Sequence, residues 1–138
     1  MVLGDEKIKK KTMNPKELRI GNHIAINGVG EIVRGISPVL ITVSHGRVFE
    51  FMSHKIEPIQ LALAWLEWFG FSKDYDTNKY LNEPEDFIWS KSSFCIAVGK
   101  YGKIFYGYFG GTVEIKYVHQ LQNLYFALTG EELEIEES

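Results

Sequence analysis

Val118, Leu121, Tyr125 and Leu128 recur at spacings of three and four, so they share one face of a helix, with Leu124 flanking it. This is the longest clean helical pattern in the chain. Gly130 ends it as a left-handed cap, and the Glu-rich residues 131–138 have too little apolar content to continue a packed element. A shorter apolar run, Leu61 to Phe69, predicts a first helix with Leu61, Trp65, Leu66 and Phe69 on one side and Gly70 as its cap. Its density of large side chains predicts burial on more than one side.

Between the start of the chain and that helix the pattern shortens to strands. His23 to Ile26, Glu31 to Arg34, Val39 to Val43 and Arg47 to Phe51 follow one another closely. Asn27-Gly28 and Ser44-His45-Gly46 serve as turns. Four or five such strands predict a small SH3-like barrel, closed by a short turn at Ile56-Glu57-Pro58-Ile59. A second strand set comprises Phe87 to Trp89, Phe94 to Val98, Lys103 to Phe109 and Thr112 to Tyr117, with Gly99 to Gly102 and Gly110-Gly111 as hairpin turns. In the last of these Val113, Ile115 and Tyr117 alternate with Glu114 and Lys116, so one face is expected to lie under the C-terminal helix.

The fold class read from this pattern is α+β: an N-terminal SH3-like β-barrel lobe over residues 13–60, then a helix, antiparallel sheet and helix lobe over 61–130. Residues 1–12 read as a flexible basic leader and 131–138 as an acidic tail. Met13-Asn14-Pro15 also reads as a fresh beginning, which makes Met13 an alternative start of translation.

Composition narrows the class. With 138 residues, 45% hydrophobic and 14% aromatic, the chain has enough apolar surface to fold without staples. Its one cysteine, Cys95, cannot form an internal disulfide, and mid-strand between Phe94 and Ile96 it reads as a small buried hydrophobe. The absence of a spanning apolar run or a signal-peptide pattern makes the cytoplasm the expected location, with no membrane partner. The net charge of −3 argues against an extended grip on phosphates. Acidic residues concentrate after residue 60, so a small basic patch remains open in the first half.

Asn14-Pro-Lys-Glu-Leu-Arg-Ile-Gly-Asn22 and Ile115-Lys-Tyr-Val-His-Gln-Leu-Gln-Asn-Leu-Tyr-Phe-Ala-Leu-Thr-Gly-Glu-Glu-Leu133 resemble the two ends of a group of small uncharacterised proteins. These are encoded by gut bacteria, their prophages and related mobile elements. The Leu66-Glu-Trp-Phe-Gly-Phe71 run is similar to their middle. The resemblance implies a bacterial, phage-related context and brings no catalytic residues with it.

Candidate chemistry follows. Asp74, Asp76, Asn78 and Glu85 stand at positions 1, 3, 5 and 12 of a calcium-loop pattern. Lys79 occupies its glycine position, and Pro84 followed by a strand replaces the exiting helix, so no metal is assigned. His23, His45, His54 and His119 are scattered, without zinc spacing. No glycine pair precedes a helix as a phosphate loop requires. On the aromatic strand Tyr106 and Tyr108 face one way and Phe105 the other; with His119, Gln122, Asn123 and Phe126 on the polar side of the C-terminal helix, the two tyrosines make a candidate interaction surface.

Three functions remain. The favoured one is a non-enzymatic interaction or adaptor protein with an unidentified protein partner and no cofactor. The alternative is a nucleic-acid-binding accessory protein using Lys16, Arg19, Arg34, Arg47 and Lys55 on one face of the barrel. An enzyme is third, requiring His23, His45 or His54 to meet Glu50 or Glu57 in a pocket.

Overall fold

A computed structural model describes residues 13–74, 87–99, 101–108 and 111–136, with the side chains of Asp74 and Tyr108 outside the description. Asp76, Asn78, Glu85 and the expected leader over 1–12 therefore lie outside the described residues. The architecture is α+β: two antiparallel five-stranded sheets and two α-helices. The chain divides between Ile59 and Gln60 into two units.

The first unit is built from short strands whose alternate residues point inward. A single turn of 3-10 helix at Pro15–Glu17 precedes β1 (His23–Ile26), β2 (Val29–Ile36), β3 (Leu40–Val43), β4 (Val48–Glu50) and β5 (Ile56–Pro58). Asn27 and Gly28 both have positive φ, 52° and 85°, which is what a two-residue hairpin turn of matching twist needs, and Ile26 faces Val29 across it. The Ser37 hydroxyl accepts from the backbone N–H groups of Val39 and Leu40 and shapes the next turn. Ile24, Ile26, Val33, Ile41, Val43, Phe51 and Ile56 fill the core with Met13 and Leu18. Each such side chain contributes roughly 1.5–3 kcal/mol by leaving water.

The sheet order is β4-β3-β2-β1-β5, with every neighbouring pair antiparallel. Among the described residues no ladder joins β4 to β5, so closure of the expected SH3-like barrel is not found. Ile56-Glu57-Pro58 is a strand on β1 and not the expected turn; Pro58, which has no N–H to donate, is tolerated because β5 has β1 as its one strand neighbour among the described residues.

The second unit is α1 (Leu63–Trp68), five strands and α2 (Val118–Thr129). Its strands are β6 (Ser72–Asp74), β7 (Phe87–Lys91), β8 (Phe94–Val98), β9 (Ile104–Tyr108) and β10 (Gly111–Ile115), in the order β10-β9-β8-β7-β6. The polar β6 is the strand that hydrophobic pattern does not reveal; it pairs with β7, Lys73 opposite Trp89. Trp89, Phe94, Ile96, Val98, Ile104 and Ile115 are buried with Leu66 and Phe69 around α1, and with Val118, Leu121 and Tyr125 of α2. Phe94 centres an aromatic cluster, edge-on to Phe71 and Tyr125 and stacked on Tyr106 at 5.4 Å. Gly130, at φ 78°, caps α2 and donates its N–H to the Phe126 carbonyl, as its position predicts.

The acidic segment departs from expectation. Although 131–136 forms no helix or strand, Leu133 is only 1% exposed and its carbonyl accepts from the Gln122 side-chain amide. Further along, the Glu136 N–H donates to the Trp68 carbonyl. One apolar side chain and a few backbone contacts suffice to dock a segment that composition reads as solvated.

Candidate functional site

In the first unit the five basic candidates stand on five separate segments. Lys16 is on the 3-10 turn, Arg19 follows it, Arg34 is exposed on β2, Arg47 precedes β4 and Lys55 precedes β5. Arg47 and Lys55 are engaged by carboxylates. The Arg47 guanidinium donates to Glu31 Oε1 at 2.6 Å, where Glu31 is a buried carboxylate, and Lys55 lies 3.6 Å from Glu57. Arg34 stands close enough to His23 to act on its titration. Burial first, and the Arg34 charge second, hold the His23 pKa below its ordinary value.

The carboxylates named for acid-base work with these histidines are occupied elsewhere. Glu50 Oε1 accepts the Ser53 hydroxyl, while the Glu57 carboxylate faces Lys55. His54 Nδ1 lies 3.3 Å from the Glu50 backbone carbonyl oxygen, and its ring meets Phe49 edge-on. His45 takes φ 66° in the Ser44–Gly46 turn, a conformational role. Among the described residues no three His, Cys, Asp or Glu side chains gather as a metal site.

The surface feature that the first unit does present is apolar. Leu40 and Val48 lie diagonally across β3 and β4 on one face, because Leu40 pairs with Glu50 and Thr42 with Val48. Both are exposed. At the adjoining end the Phe51 N–H bonds the Val39 carbonyl, which brings exposed Val39 beside the Phe51-Met52 turn; Met52 is 89% exposed. Among the described residues β4 ends the sheet, with β3 as its one strand neighbour. The sequence signal is the run Val39-Leu-Ile-Thr-Val43, in which Leu40 adds an apolar side chain to the face opposite Val39, Ile41 and Val43.

In the second unit two of the expected surface residues are interior. His119 and Gln122 are each 2% exposed, and Tyr106 is half-buried against Phe94. Leu128, assigned to the packed stripe, is 53% exposed. Of the six surface candidates, Phe126 is exposed and Asn123 half-buried, and the Tyr108 side chain lies outside the description. Cys95 corrects the reading in the other direction. Phe94, Ile96 and Val98 occupy the helix-covered face, so period-two alternation turns Cys95 outward, where it is exposed.

The second unit also contains a cleft of about 350 Å³. It opens where β9 begins and β10 ends and the chain departs toward α2, between the turn carrying Tyr101 and Lys103 and the segment Lys116-Tyr117. Gln60 and Leu61 form its far wall, held by a bridge between Gln60 and Tyr117 and by the Leu61 N–H donating to the Lys116 carbonyl. The Gln120 side-chain oxygen accepts the N–H groups of both Lys116 and Tyr117 and fixes this corner.

Comparison of the chain with protein-family models, with curated proteins and with solved structures finds no match. No helix among the described residues is long and apolar enough to cross a membrane.

Proposed function

We propose that this protein is a small, non-enzymatic interaction module whose first unit docks a protein partner through the β3–β4 end of its sheet. The observation that carries the reading is the exposure of Leu40 and Val48 on one face of β3 and β4, with Val39 and Met52 also exposed at the adjoining end, on a strand that among the described residues has a partner on one side only. Apolar groups gathered in this way gain free energy when a partner covers them, and a sheet edge supplies backbone donors and acceptors for register. The strand order β4-β3-β2-β1-β5 supports an SH3-like assignment for this unit. A cytoplasmic, bacterial or prophage setting accords with the two terminal motifs.

The test is capture from bacterial lysate by the wild-type chain and by a Val48→Asp, Met52→Asp variant. A protein retained by the first and lost by the second supports the proposal. Identical retention by both overturns it. A nucleic-acid reading draws on the positive field of Arg34 at His23, yet Arg47 and Lys55 are already matched to carboxylates, so the basic candidates act as less than five free charges.

A further inference from the structure

β9 and β10 pair with Ile104 opposite Ile115. Continuing that register by one position sets Lys103 opposite Lys116 at the mouth of the cleft. The backbone bonds agree with this placement. The Lys103 carbonyl accepts from Gly99, on the β8 side, and the Lys116 carbonyl accepts from Leu61, on the side away from β9. Neither residue spends its carbonyl on the other, as in the non-hydrogen-bonded kind of antiparallel pair, where facing side chains approach most closely.

Like charges directly opposed on neighbouring strands are destabilising. Both lysines are exposed, and neither ammonium has an ion-pair partner among the described residues. Glu114 lies on the same face two residues before Lys116 and lines the same cleft, so the three groups together carry a net positive charge. The lining is mixed and more polar than apolar, with two tyrosines and a leucine among the charged groups. Tyr101 is 83% exposed at the rim, the Tyr117 ring lies nearly parallel to the His119 ring at 6.0 Å, and Leu61 closes the back.

We propose that this cleft binds a phosphate monoester joined to a planar ring, with Lys103 and Lys116 holding the phosphate and Tyr101 and Tyr117 flanking the ring. A phosphate monoester carries about −1.5 to −2 at neutral pH and presents three acceptor oxygens, so it can engage both ammonium groups at once beside Glu114. The volume, about 350 Å³, falls in the small-ligand range of roughly 300–1,000 Å³. The same chemistry is offered by a free nucleoside monophosphate and by the 5′-phosphorylated end of a nucleic-acid strand. This site lies in the second unit and is independent of the β3–β4 surface.

The experiment is an NMR titration of the full chain with adenosine 5′-monophosphate, adenosine, inorganic phosphate, and a short oligonucleotide with and without a 5′-phosphate. The expected result is saturable shifts at Lys103, Lys116 and Tyr117 with the monophosphate or with the 5′-phosphorylated strand. The first outcome identifies a free nucleotide as the ligand and the second a strand end. Adenosine, inorganic phosphate and the unphosphorylated strand are expected to bind at least tenfold more weakly. Lys103→Gln and Lys116→Gln each weaken binding about tenfold, the usual worth of a charge-assisted contact. Glu114→Gln strengthens it, and Lys16→Gln in the other unit leaves it unchanged. These are surface changes, so the amide spectrum outside the cleft is expected to persist. No saturable shift with either phosphorylated probe at millimolar concentration overturns the proposal, as does equal weakening by Lys16→Gln.

Discussion

The Lys91 ammonium lies 2.7 Å from a Glu136 carboxylate oxygen and 2.6 Å from the Phe69 carbonyl, tying β7, the end of α1 and the C-terminal acidic segment to one point. The ion pair itself is of modest worth, because Glu136 is more than half exposed and such pairs contribute about 0–1 kcal/mol. The buried Leu133 carries more. Leu133→Ala is expected to cost roughly 2–5 kcal/mol and Glu136→Gln less than about 1 kcal/mol in urea denaturation. Equal costs would mean that the charge, and not the leucine, docks the segment.

Two glycines separate conformational from steric demand. Gly130 and Gly70 both hold positive φ, 78° and 90°. A side chain at Gly130 meets no atom within 4 Å, whereas one at Gly70 meets the Glu136 carboxylate. Gly130→Ala is expected to cost about 1–2 kcal/mol from backbone strain alone. Gly70→Ala adds displacement of Glu136, so combining it with Glu136→Ala should recover part of its cost. Unfolding midpoints of the two single variants and the double variant check this; strict additivity would contradict it.

In the first unit the Glu31–Arg47 pair joins a buried carboxylate to a half-exposed guanidinium. Removing the arginine strands the carboxylate, whereas removing both leaves neither charge unanswered. Arg47→Met is expected to destabilise by roughly 1–3 kcal/mol, after allowance for the exposed partner, and Glu31→Gln, Arg47→Met together by less than Arg47→Met alone. A double-mutant cycle by chemical denaturation measures the difference. A double variant as unstable as the sum of the singles would show that the pair is uncoupled.

His23 gives the stability a pH dependence of known sign. Its folded pKa is lowered by burial and by Arg34, so between that lowered value and the ordinary value near 6.5 the unfolded chain binds a proton that the folded chain does not. Stability from this group is complete above the ordinary value and falls with pH through that window. His23→Gln is expected to flatten the slope of unfolding free energy against pH there, and Arg34→Gln to flatten it by a smaller amount. An unchanged slope in His23→Gln would remove this histidine from the acid response.

Local pattern reveals those parts of the fold that local contacts decide. Val118, Leu121 and Tyr125 are buried, and Gly130 caps their helix, because helical periodicity and a left-handed cap need no distant partner. The same stripe misplaces Leu128, which is exposed, and the opposite side misplaces Gln122, which is buried by the carbonyl of Leu133, eleven residues on. Strand β6 escapes because Ser72, Lys73 and Asp74 are polar and owe their pairing to β7. Arg47 reads as an available cation until its partner Glu31, sixteen positions away, is seen. The cleft is hidden for a related reason: Lys103 and Lys116 come together only through the register of the β9–β10 hairpin.

The β3–β4 surface is tested most directly by site-specific photocrosslinking from position 48 in bacterial lysate, with position 55 as a control on the same unit. One dominant crosslinked protein is expected from position 48, lost when Met52→Asp is introduced, and no such product from position 55. Crosslinks of equal yield from both positions, or a product from position 48 that ignores Met52→Asp, would contradict the proposed docking.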